Sequence, residues 1–129
     1  MELPRSCIPT TIVALRRYPG FNDPAIVVHL VGRVVHETIG FIFHDITLDD
    51  ATDRIVIRYI HNYQLPHERP KLVGTYVSVF GRFSATAPSH VISQSVRTAS
   101  ADAVSYHIIE VAYTFLRLSL CESRDGSRG

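Results

Sequence analysis

The sequence predicts an all-β barrel or sandwich that ends in a single C-terminal α-helix. Three observations carry this reading. "GTYVSVFGRF" (74–83) alternates with a period of two, the mark of a strand with one buried face. Further runs rich in β-branched residues, at 25–37, 41–47, 54–60 and 90–96, are separated by clusters of turn-forming residues. From residue 102 the apolar period changes from that of a strand to that of a helix. Five strands with turns between them fit a small antiparallel barrel or sandwich.

Taken in order, residues 10–17, "TTIVALRR", open with β-branched residues and are expected to form a short strand or to cover one barrel end. "YPGFNDP" (18–24) is a turn. In 25–37, Val28, Leu30 and Val34 share one face with Gly32, while His29, Arg33 and Glu37 share the other. A glycine inside so long a strand marks a bulge or sharp coil, through which one strand can serve both sheets of a barrel. "FIFHDIT" (41–47) is the second strand and "LDDATD" (48–53) an acidic turn. In the third, Ile55, Ile57 and Tyr59 share one face, and Arg54, Val56 and Arg58 the other. "HNYQLPHERPK" (61–71) is a polar connection without helical period. In the fourth strand Val77, Val79 and Phe83 point inward, and Tyr76, Ser78, Phe80 and Arg82 outward. "SATAPS" leads to the fifth, "HVISQSV". Within 102–120, Val104, Ile108, Val111, Phe115 and Leu118 recur at steps of 4, 3, 4 and 3, a heptad-like stripe. Ser100 or Asp102 can cap this helix. The expected division is an N-terminal extension (1–9), a barrel (10–100), a helix (101–120) and a polar tail (121–129).

At 129 residues the chain is one domain, and 46% hydrophobic against 19% charged residues excludes wholesale disorder. No apolar run reaches the roughly 18 residues that span a bilayer. The start lacks the basic and apolar blocks of a signal peptide. Cys7 and Cys121 stand near opposite ends with no CxxC spacing, so free thiols in a cytosolic or nuclear chain are expected. A net charge of +1 exerts no overall pull on nucleic acid. Yet twelve arginines stand against one lysine, Lys71. The planar guanidinium suits phosphates and stacks on rings; codon usage would give the same count.

The outer faces suggest a groove lined by His29, Arg33, Arg54, Arg58, Tyr76, Phe80 and Arg82, with Phe41 and Phe43 nearby. Arginines there would meet phosphates, and aromatics would stack on bases. The alternative puts Tyr76 and Phe80 beneath a terminal segment or partner, with the arginines solvating the rim. Asp45, Asp49, Asp50 and Asp53 lack EF-hand spacing and read as a solvated turn. The seven histidines are scattered without HExxH or a CxxC partner, so no metal site and no cofactor is expected. No GxSxG motif or phosphate-cradling glycine loop occurs, so no catalytic residue is assigned and no enzyme is expected.

Five words in fixed order resemble a known family. "PTTI" (9–12), "HLVGRVV" (29–35), "FHDIT" (43–47), "GTYVSVFGRF" (74–83) and "HIIEVAYTFL" (107–116) are similar in order and spacing to replication protein A's middle subunit and its telomere-capping relatives. The resemblance covers about residues 8–118. It implies a five-stranded Greek-key OB-fold barrel that grips single-stranded DNA, in a nuclear complex serving replication and repair or chromosome ends. Family members also carry a Ser-rich tail and a winged-helix domain, neither of which stands in these 129 residues. Their third strand places a tryptophan on the binding face where this chain has Arg58 or Val56, so weak DNA contact is expected at most.

The helix carries a second apolar edge, Ile109, Ala112 and Leu116, beside the first. One stripe would dock it on the barrel, and the other remains for a partner. The alternative packs both stripes on the chain's own barrel. The family's helix joins helices of large and small subunits in a bundle, which implies an obligate hetero-oligomer whose partner is held by Val104, Ile108, Val111, Phe115 and Leu118, with Tyr106 and Tyr113 at the margin. Two readings follow: a DNA-contacting subunit, or an assembly scaffold with an inert barrel.

Overall fold

The computed structural model describes residues 7–40, 42–60 and 71–128, and the side chains among them except those of Ile60 and 118–128. In chain order the elements are β1 (Cys7–Pro9), α1 (Ile12–Arg17), a 3-10 turn (Pro19–Asn22), β2 (Val27–Ile39), β3 (Phe43–Asp49), β4 (Arg54–Ile60), β5 (Tyr76–Ser84), β6 (His90–Thr98) and α2 (Ala101–Arg128). Strands β2 to β6 close a barrel in the order β2-β3-β4-β6-β5, and β5 returns to β2. Only the β4–β6 pairing within it is parallel. This is the five-stranded Greek-key OB-fold. Residues 7–9 add β1 alongside, parallel to β2, with Pro9 opposite His29.

Closure depends on β2. Its first half, Val28 to Arg33, pairs with β5, and its second half, Arg33 to Ile39, pairs with β3. Gly32 lies at the changeover because the chains approach too closely for a side chain: a Cβ there would stand 2.6 Å from the carbonyl oxygen of Asp49. The bulge itself comes slightly later, between Val34 and His36. It reverses the alternation, so Arg33 faces outward as expected while Glu37 turns inward and is nearly buried. Gly32→Ala is expected to cost about 1–3 kcal/mol, because backbone must move to admit the methyl group; chemical denaturation of the two chains measures it.

The core is the set of inward residues that strand alternation picks out. Val28, Leu30, Val34, Ile46, Leu48, Ile55, Ile57, Val77, Val79 and Val91 are all buried. One end is plugged by α1, whose Ile12 and Leu15 are fully buried, each contributing about 1.5–3 kcal/mol. The segment 10–17 therefore covers the barrel as a helix, despite its β-branched start. Capping explains this: Thr11 Oγ1 accepts from the Ala14 amide at 3.3 Å, and Asp50 Oδ2 accepts from the Ile12 amide at 2.8 Å. Asp50 also accepts from the Thr52 and Asp53 amides, so the acidic turn is built to hold α1.

At the opposite end of β3 a polar network is buried. His44, 1% exposed, meets Glu37 Oε2 through Nε2 at 2.8 Å and the Tyr59 hydroxyl through Nδ1 at 2.5 Å. Glu37 Oε1 accepts from the amides of Leu72 and Val73 at 3.0 and 3.2 Å. This ties the segment before β5 to the bulged half of β2. Among the described residues, no helix is long and apolar enough to cross a membrane.

Candidate nucleic-acid interface

OB-folds hold oligonucleotides on the outer face of their second and third barrel strands, between the flanking loops. Here that face belongs to β3 and β4. A concavity of about 290 Å³ is lined there by Asp45, Val56, Arg58 and the β5–β6 loop from Thr86 to His90. Arg58 is the one arginine or lysine lining it among the described residues. Its Nε and Nη2 donate to the two oxygens of Asp45 at 3.0 and 3.1 Å, a fork-on-carboxylate pair between facing strand positions. The guanidinium also lies 5.1 Å from the centre of the exposed Phe43 ring. A phosphate would have to compete with Asp45 for Arg58, and Phe43 is the aromatic left for a base. Phe41, the other expected ring, lies outside the described residues.

The seven residues expected to line one groove do not share one. Arg33, Arg54 and Tyr76 line a different, larger groove of about 670 Å³ between the barrel and α2, together with Val31 and Ile108. Arg54 is held there by Asp49, Nε to Oδ2 at 2.9 Å. The Ala51 amide and then Arg54 keep the Asp49 carboxyl below its ordinary range. Arg82 donates through Nε to the Pro24 carbonyl at 2.7 Å and braces the turn before β2. Phe80 stacks face to face on His29, ring centres 4.2 Å apart and 3° from parallel. It shares a cleft with Glu110 and Thr114 of α2. Strand alternation placed Phe80 and Tyr76 on the outer face correctly; it could not show that α2 would lie across that face.

The predicted partner stripe is divided in the same way. Val111 is only 7% exposed, Val104 is half-buried, and Phe115 packs on Tyr18 with ring centres 5.9 Å apart. These three face the chain's own body. Ile108 remains 65% exposed, and Leu118 lies where side chains are outside the described set. The free seam is a neighbouring one: Tyr106, Ile109, Tyr113 and Leu116, spaced 3, 4 and 3 apart and each 58–66% exposed. Ser100 caps the helix by accepting from the Ala103 amide, and the helix continues past residue 120 to Arg128.

Sequence reasoning also passed over a cluster beneath α2. His29, His107 and Glu110 converge there. Burial pushes both imidazoles below the ordinary histidine range, and for His29 the neighbouring His107 adds to the effect. The available signal was the His-x-x-Glu spacing at 107–110, which sets both side chains on one helix face.

A closed barrel in this strand order, with a helix across one flank and an arginine in its strand groove, defines an OB-fold domain with an appended C-terminal helix. Solved structures share this architecture. A chain of a replication protein A heterotrimer bound to ssDNA is 17% identical with a TM-score of 0.70, over 88% of this chain and 98% of that one. A chain of the S. pombe Stn1-Ten1 complex is 16% identical with a TM-score of 0.74, over 91% and 96%. A chain of yeast Stn1 and Ten1 is 14% identical with a TM-score of 0.62, over 80% and 62%. At these identities the likeness is one of fold. No protein-family profile and no curated protein matches the sequence.

Proposed function

We propose that this chain is a non-catalytic OB-fold subunit of a single-stranded-DNA-binding complex of the replication protein A type, joined to its partner subunits through α2. The observation that carries this reading is the outward seam of α2, Tyr106, Ile109, Tyr113 and Leu116, left in water after the helix has docked. The shared fold with chains of a heterotrimer and of Stn1-Ten1 complexes supports it. The partners are large or small OB-fold subunits, and the compartment is the nucleus. A telomere-end complex suits the same architecture.

DNA contact is weak on this reading. Arg58 is neutralised by Asp45, no tryptophan exists in the chain, and Phe80 is engaged by His29. The isolated chain is expected to bind single strands with a Kd of about a micromolar or poorer, with a steep loss in salt. Fluorescence anisotropy with single-stranded and duplex oligonucleotides measures this. In the assembled complex, Arg33→Glu with Arg58→Glu should weaken binding and flatten its salt slope. Unchanged affinity and slope would favour the scaffold reading, to which the Arg54–Asp49 and Arg58–Asp45 pairs already lean.

A further inference from the structure

The cluster beneath α2 joins two parts of the chain. His107 and Glu110 come from the helix and His29 from β2, and one donor atom of each lies within 4.8 Å of the others. Each imidazole has one nitrogen already engaged. His107 Nε2 lies 3.2 Å from the Thr10 carbonyl oxygen, which can only accept, so Nε2 carries the proton. The neutral ring then presents a bare lone pair at Nδ1. That Nδ1 is buried without any hydrogen-bond partner, in a side chain 6% exposed. Such an atom calls for an explanation. His29 Nε2 pairs with Ser78 Oγ at 2.7 Å, leaving Nδ1 toward Glu110 Oε1 at 3.5 Å.

This is the arrangement metal-binding histidines use: the outer nitrogen is oriented by a carbonyl or hydroxyl, and the inner one is free for the ion. We propose that His29, His107 and Glu110 bind one divalent transition-metal ion of the zinc type, which fastens α2 to the barrel. Two imidazoles and a carboxylate suit zinc, with water in the fourth position. Tetrahedral ligands at zinc–nitrogen distances of about 2.0–2.1 Å stand about 3.3 Å apart, so the three side chains close in by somewhat over an ångström. Glu110, a third exposed, has the freedom to do so. Cys7 borders the same cleft, but its sulfur is not among the donor atoms that converge.

The test uses the full chain, stripped with chelator and titrated with zinc chloride alone by calorimetry. One ion per chain is expected, with a higher melting temperature in zinc than in chelator. Glu110→Gln and His29→Gln should each weaken binding at least roughly tenfold, since loss even of an outer-shell partner costs that much; circular dichroism should be unchanged. No saturable binding, or equal binding by Glu110→Gln, overturns the proposal and assigns any ion to the other histidines. Should His29→Gln not fold, X-ray absorption of the zinc-loaded wild-type chain decides. Two imidazoles with oxygen donors support the site; sulfur, or any other imidazole count, refutes it.

Discussion

Replacing Ile109 and Leu116 together with Asp is expected to release the chain from its partner subunits and leave the barrel folded. Both side chains are exposed, at 66% and 58%, so neither contributes to the chain's own core. Burying them in an interface is worth about 1.5–3 kcal/mol each, and losing both weakens association by about 10²–10⁴-fold. A buried Asp adds a desolvation penalty of the same sign. Co-elution on size exclusion reads the outcome, and circular dichroism confirms the fold. Val111→Asp is the contrasting variant. Val111 is 7% exposed, so this change should lower the stability of the chain itself. If the Ile109→Asp/Leu116→Asp chain still co-elutes like the wild type, assembly through α2 is wrong.

Glu37→Ala is expected to be among the most destabilising single changes in the barrel. It strips His44 Nε2 of its partner inside the protein and removes the acceptor from the Leu72 and Val73 amides. A buried polar atom left unpaired costs about 1–3 kcal/mol. With the ties to 72–73 also lost, a total of about 2–4 kcal/mol lowers the melting temperature by roughly 8–16 °C. Glu37→Gln keeps an acceptor for the two amides and should cost clearly less. Calorimetric melting of the three chains measures both effects. An alanine variant as stable as the wild type would mean that the network contributes nothing net.

Much of the barrel was legible because strand alternation has a period of two and each strand here buries one face. Ile55 and Ile57, or Val77 and Val79, could go nowhere but inward. Gly32 likewise announced the long strand that serves both halves of the barrel, since only glycine fits where Asp49 passes so closely. Glu37 was misplaced because the bulge between Val34 and His36 shifts the parity, and nothing local marks which residue is extra. Residues 10–17 left a short strand and a cover for one barrel end both open; they form the cover, as a helix capped by Asp50, 38 residues beyond Ile12.

The sequence by itself determined the five strands, most of their faces, the C-terminal helix and the fact that this helix has more apolar surface than one contact can use. These follow from local periodicity, which each segment carries alone. The tertiary structure decided which stripe of α2 is spent internally, because that depends on how the helix crosses β1 and β2. It also decided that Phe80 is covered by His29 and that Arg58 is answered by Asp45. And it alone brought His29 to His107 and Glu110, residues distant in sequence that meet only when the helix folds back over the first long strand.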